Sequence, residues 1–335
     1  MRQRLFFMVL MLVLITCHAV AQKAINKGLA TINRPVAEAH IGFLAADELK
    51  GRFAGTAGGR VAANYIVSQL QQIGVDPLID GSYFQPFDAC CIKSLYGFRW
   101  EVHPDSVARL ADVAHLKRSM RNVLGVIQGK RSDEYVVIGA HYDHIGIAYG
   151  QKKDSICNGA DDNASGVSAV LQLARAFVAS GQKLERTIVF AFWDGEELGL
   201  LGSKYFVSNH DFGKNICAYL NYDMIGRNKY PERPWHVVYF YTEAHPDFGK
   251  WLSSDIKKYK LHLEPDYCPK DKLVGGSDNA SFALRNVPVI WYHTDGHPDY
   301  HQPTDHSDRI NYDKLVEITK ASFLAAWRLA NDSEY

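Results

Sequence analysis

From Tyr135 onward the chain repeats one pattern, a short apolar run followed by a stretch in which apolar residues recur at helical spacing. Tyr135 to Ala140 leads into a segment carrying Val170, Leu173, Ala174 and Phe177, and that segment leads into Thr187 to Trp193. Strands that alternate with helices pair in parallel, because a connection long enough to hold a helix returns the chain to the starting end of the sheet. Runs at Ile216 to Tyr222, His236 to Tyr241 and Val287 to His293 extend the sheet, and Val316, Phe323 and Trp327 predict a closing C-terminal helix. The expected fold is therefore α/β, with a mostly parallel central sheet flanked by helices. A helical lead-in is expected from about Ala37 to Gly74, with Ile66, Leu70 and Ile73 on one face. Residues 76–121 show no sustained period and read as an insertion or decorated edge strands, and nothing resembling a linker divides the chain.

The N-terminus has a different signature. Arg2 and Arg4 precede an apolar run from Leu5 to Ile15, and Ala19-Val20-Ala21 follows, which predicts a secretory signal over 1–21 and a mature chain from Gln22. Cys17 offers a lipoprotein alternative, but Thr16 before it fits less well than the Ala-x-Ala site. The run is short of the ~20 residues that span a bilayer, so an exported protein, periplasmic or secreted and free of the membrane after cleavage, is expected. With 37 Lys+Arg against 37 Asp+Glu and no charged tail, nucleic acid is not an expected partner. Five cysteines remain after cleavage (Cys90, Cys91, Cys157, Cys217 and Cys268), and in an oxidising compartment one or two disulfides are expected among them.

Polar residues gather where the apolar runs end. His141-Tyr142-Asp143-His144 follows the first, Glu196-Glu197 the second and Asn221-Tyr222-Asp223 spans the end of the third; Asp161-Asp162-Asn163 precedes a helix near Ser165, and His297 to His306 follows the last run. Ligands of open α/β sheets bind beyond the carboxyl ends of the strands, so these groups should converge. Each cluster alone has a plain explanation, since acids favour a helix's first turn and Asp pairs cap turns. Five of them at strand ends in one sheet shift the balance to chemistry. A His/Asp/Glu set without cysteine suits an accessible catalytic zinc site, and carboxylates that can bridge make a paired-metal centre natural, with manganese or cobalt able to use the same ligands.

Together these segments, with Gly159-Ala160-Asp161-Asp162-Asn163-Ala164-Ser165-Gly166, Glu196-Glu197-Leu198-Gly199-Leu200-Leu201-Gly202-Ser203, Asn221-Tyr222-Asp223-Met224 and Tyr300-His301-Gln302-Pro303-Thr304-Asp305, resemble the zinc-dependent M28 peptidases, the bacterial leucyl-type aminopeptidases. Gly51-Arg52, Gly55-Thr56 and Gly275-Gly276-Ser277-Asp278 also look like motifs of that family. The resemblance implies a zinc-exopeptidase (phosphorylase/hydrolase-like) fold and two zinc ions, one held by His141 and Asp223, the other by Glu197 and His301, with Asp162 bridging. It implies Asp143 and Asp305 as acceptors for the second ring protons of His141 and His301. Glu196 matches the general base, and Tyr300 matches a tyrosine that in some members donates to the oxyanion. The substrates implied are peptides with a free N-terminus, and residues 76–121 are short for the protease-associated insert of some relatives, so a single catalytic domain over 22–335 is expected.

Three other readings compete. Glutaminyl cyclase has a related fold with one zinc and uses equivalents of Asp162, Glu197 and His301, but here His141 and Asp223 also keep their ligand context. A carboxypeptidase would use a related two-metal fold, and a non-catalytic binding relative would have lost residues that are present here.

Overall fold

The computed structural model describes residues 19–94, 97–148, 150, 154–209, 215–271 and 275–332. The basic and apolar parts of the expected signal, together with Cys17, lie outside them, and Ala19-Val20-Ala21 falls at the start of a helix over residues 19–29. Among the described residues no helix is long and apolar enough to cross a membrane.

Ten strands build one sheet: β1 (Asp76–Pro77), β2 (Phe84–Ser94), β3 (Gly97–Glu101), β4 (Leu116–Ile127), β5 (Arg131–His141), β6 (Arg186–Trp193), β7 (Ile216–Tyr222), β8 (His236–Thr242), β9 (Glu264–Lys270) and β10 (Val289–His293). Their order is β3-β2-β4-β6-β5-β7-β10-β8-β9, with β1 beside β4. The centre, β6-β5-β7-β10, is parallel throughout. The expectation of a mostly parallel sheet holds there and for the edge pair β8-β9, and fails elsewhere: β4 pairs antiparallel with β1, β2 and β6, β2 with β3, and β8 with β10. Between β2 and β3 a short link forces this, since only a long crossover lets neighbouring strands run the same way.

β6 shows why the central runs are continuously apolar. All eight of its residues are buried, and successive side chains point to opposite faces. Ile188, Phe190 and Phe192 pack into a core shared with the helices Arg34–Leu44, Ala57–Ile73, Gly166–Ser180 and Tyr312–Asn331. Val189, Ala191 and Trp193 pack into a second core against Phe206 and Phe282 of the helices Leu201–Asn209 and Asn279–Ala283. A strand sandwiched between two helical layers has no polar side to display.

The marginal strands read poorly in the sequence because they meet other demands. β2 alternates exposed Pro86 and Asp88 with buried Phe87 and Ala89, and β9 is a largely exposed edge carrying Pro265 and Pro269. The expected disulfides are not formed: all five described cysteines are free. Cys90 and Cys91 are successive on β2, so their side chains leave opposite faces, and each is buried without a cysteine partner.

Candidate metal centre

Four strand ends deliver the cluster. His141 is the last residue of β5, Asp223 follows the last residue of β7, Glu196 and Glu197 lie just past β6, and His301 sits in the loop after β10. Asp162 comes from the irregular stretch Ala160–Ser165 that leads into the helix Gly166–Ser180. Asp162 turns one oxygen to each end of the cluster: Oδ1 lies 3.3 Å from His141 Nε2 and Oδ2 lies 3.2 Å from His301 Nε2. Asp223 Oδ2 is 3.5 Å and Glu196 Oε2 4.0 Å from His141 Nε2, while Glu197 Oε2 is 3.1 Å from His301 Nε2. The potential ligand atoms fall into two groups, His141, Glu196 and Asp223 on one side, and His144, Asp162, Glu197 and His301 on the other.

These separations fit divalent ions. Ligands at ~2.0–2.2 Å in a tetrahedron are about 3.3 Å apart, which is the spacing around His141 and His301. His301 Nε2 is buried among carboxylate oxygens yet has no hydrogen bond, as expected for a nitrogen whose lone pair faces a cation. Packing four carboxylates together without a cation would otherwise leave their charges to repel in a dry site.

The stretch bearing Asp162 is tied down residue by residue. Asn163 Nδ2 donates to the Tyr222 carbonyl, Asn163 Oδ1 accepts from Gly166 N and Met224 N, and Ser165 Oγ accepts from Ile225 N while donating to the Asp161 carbonyl. Asp162 is thereby fixed to the turn that carries Asp223. From the other side Arg52, fully buried, donates to the carbonyls of Leu44, Tyr142, Asn158, Gly159 and Asp162. Asp161 turns away from the cluster, with Oδ1 accepting from Gly226 N at 2.6 Å and Oδ2 3.2 Å from His297 Nε2.

Two supporting residues differ from expectation. Asp305 does not touch His301: its Oδ2 accepts from Asp161 N at 2.9 Å and Asp162 N at 3.2 Å, and Oδ1 lies 3.8 Å from Arg227 Nη1. The turn after His301 folds back under the Asp162 stretch, so nearness in sequence did not become nearness in space. Asp143 stands beside His141, but the ring proton on Nδ1 goes to its backbone carbonyl at 3.2 Å, with the carboxylate at 3.6 Å. That carboxylate accepts from Glu196 N and Glu197 N, positioning both glutamates.

Electrostatics separates the two glutamates. Burial, with Asp278, Asp223 and Glu197 nearby, holds the Glu196 carboxyl well above the usual range, against the opposing pull of His141. For Glu197, burial and Asp162 push upward, but hydrogen bonds from His144 and His301 outweigh them and its carboxyl lies below the usual range. Burial alone would lower His301, yet its contacts with Asp162 and Glu197 raise it to about 10. Asp278, from the Gly275-Gly276-Ser277-Asp278 segment, is fully buried and lifted to about 7 chiefly by that burial.

A cavity of about 200 Å³ opens on the cluster, lined by Asp162, Glu196, Glu197, Asp223, Trp291 and Tyr300 among others. Tyr300 is 45% exposed, and its ring stacks on His301 at 3.9 Å between centroids. The sequence placed His144 in the converging cluster but gave it no role of its own; it is fully buried with Nδ1 2.8 Å from Glu197 Oε1.

Residues 122–326 match the sequence profile of peptidase family M28. The chain is 30% identical to a probable leucine aminopeptidase of Arthroderma otae over 81% of this chain and 74% of that protein. It is 31% identical to leupeptin-inactivating enzyme 1 of Streptomyces exfoliatus over 54% of this chain and only 44% of that protein. The fold is similar to that of BSAP, a zinc aminopeptidase from Bacillus subtilis, with a TM-score of 0.66 and 15% identity, covering 91% of this chain and 97% of that one. A profile match over more than half the chain, on the segments that carry the cluster, shows that this chain belongs to peptidase family M28.

Proposed function

We propose that this peptidase is an exported zinc aminopeptidase, with two ions shared through Asp162 and cleaving the N-terminal bond of peptides. His141 and Asp223 would hold one ion, and Glu197 and His301 the other. The observation that carries the N-terminal preference is the lining of the cavity. Four carboxylates face it, and none of the described residues lining it is Lys or Arg. An α-ammonium finds counter-charge there, whereas a C-terminal carboxylate finds only like charge.

Divalent zinc in such a site polarises a scissile carbonyl and makes water acidic enough to lose a proton near neutral pH. Glu196, lifted by its dry surroundings, is suited to take that proton and pass it to the departing amine. Tyr300, at the mouth of the cavity, is placed to donate its hydroxyl proton to the oxygen on which charge develops. Asp143 fixes both glutamate backbones and so the direction from which Glu196 works.

The test is mass spectrometry of a defined peptide mixture incubated with zinc-loaded Gln22–Tyr335, including one peptide that begins with Gln and one blocked at its amino end. Stepwise loss of residues from free N-termini only, abolished by chelator, is the expected result. Loss of ammonia from the Gln peptide alone would make the protein a cyclase. Trimming from the C-terminus would make it a carboxypeptidase, and no change in any peptide would leave a binding protein.

A further inference from the structure

We infer that His144 is a positioning residue that restricts Glu197 to a single ligating oxygen, keeping the His301 end of the centre short of protein ligands and open to substrate. The inference rests on the two-ion reading above and concerns how one of those ions is held.

The geometry assigns one histidine to each oxygen of Glu197. His144 Nδ1 lies 2.8 Å from Oε1, and His301 Nε2 lies 3.1 Å from Oε2. A neutral imidazole with its proton on Nδ1 donates to Oε1, and an oxygen engaged in this way turns its partner oxygen toward the cluster. His144 Nδ1 is farther, 3.7 Å, from Asp162 Oδ2. The nitrogen that faces the cluster is therefore the one already committed to Glu197, and one ring nitrogen cannot both donate that proton and ligate.

The ring is held in place by its surroundings. His144 is fully buried, its backbone pairs with Phe53, and its ring meets the edge of the His301 ring at 5.6 Å. Gly159 sits against it in the left-handed region, φ 59°, where a Cβ would come within 2.6–2.7 Å of His144 Cδ2 and Cγ. The same Cβ would come closer still to the Asp162 carbonyl oxygen, so glycine there leaves room for both the ring and the Asp162 backbone.

With Oε1 withheld, the His301 end has one imidazole nitrogen, one oxygen of Glu197 and one of Asp162. Three protein donors are the usual number for a catalytic zinc that keeps a position free for the reacting group. A Glu197 that chelated with both oxygens would fill that position.

A crystal structure of the zinc-loaded wild-type protein, with chelator competition for each ion in wild type, His144→Leu and His144→Asn, tests this. The expected structure has Glu197 Oε2 alone at ~2.0–2.2 Å from zinc and Oε1 still on His144 Nδ1. His144→Leu should weaken one of the two ions by about 10–100-fold and leave the other unchanged, and His144→Asn, whose amide can replace the Nδ1 donor, should recover most of the loss. The inference is overturned if zinc binds a nitrogen of His144, if both Glu197 oxygens bind it, or if both ions weaken equally. Should the wild type take up no second ion, the two-ion reading itself fails, an outcome read directly from the wild-type titration.

Discussion

The two ends of the cluster are built differently. The His141 end comes from strands: His141 closes β5, Asp223 follows β7, and both are almost wholly buried. The His301 end comes from loops. Glu197 stands in the turn after β6, and the His301 side chain retains 34% exposure on a backbone with φ 56°. Strand ends inherit the rigidity of the sheet, whereas loop residues are held by a few hydrogen bonds. The difference teaches that one cluster can pair a fixed seat with an adjustable one, and that Asp162, which turns one oxygen to each, is what makes them a unit.

The largest effect should come from the glutamate grouped with His141 and Asp223. Glu196→Gln should lower turnover by about 10²–10⁴-fold with metal content unchanged, measured as kcat beside metal analysis. An equal loss of metal would make Glu196 a ligand and erase the division of labour between the two glutamates.

Removing one histidine from each end compares the ends directly. In the metal-free protein, His141→Ala strands buried carboxylates and should cost about 3 kcal/mol in urea unfolding. His301→Ala, where solvent already reaches the ring, should cost less than about 1 kcal/mol. Equal losses would show that burial does not distinguish the two seats.

Asp305→Asn sharpens the role of the shared residue. Because Asp305 holds the backbone of Asp162 rather than His301, the substitution should weaken both ions together, by about 10–100-fold in chelator competition. Weakening at the His301 end alone would restore the simpler pairing of Asp305 with His301.

A further comparison is pH dependence. His301 must lose its proton to take a cation, and in the metal-free protein it holds that proton up to about 10. Affinity at that end should therefore fall about tenfold for each unit of pH lowered below that point, measured with a competing chelator at three pH values. The sign for folding is opposite. A raised value stabilises the metal-free fold below the ordinary histidine value of 6.5, and that gain is lost as pH rises through about 10.

Part of the centre was legible because His141, Asp223 and the Glu196-Glu197 pair stand at or just past strand ends. Completely buried strands such as β6 write themselves as unbroken apolar runs, and the polar residues that end each run stand out against them. The margins were legible in part: residues 76–121 read as decorated edge strands, which is where β1 to β3 and the start of β4 lie, but the individual strands were not, since β2 and β9 expose part of each strand and carry prolines. The direction of loops was hidden as well. Asp305 follows His301 by four residues yet faces Asp162, and nothing in the letters between them records that reversal. The role of His144 was hidden in the same way, because it depends on a left-handed Gly159 that brings a distant stretch against its ring.

Arg52 lies far upstream of residues 122–326, the part that matches the family profile. Its five hydrogen bonds nevertheless reach into that part at Tyr142, Asn158, Gly159 and Asp162, and link it to Leu44. The stretch by which kinship is recognised is thus smaller than the unit that works. A fragment cut at those borders would keep every proposed ligand and lose the one cation that four carbonyls of its own chain were folded around, so the modularity visible in sequence comparison is not the modularity of the physical object.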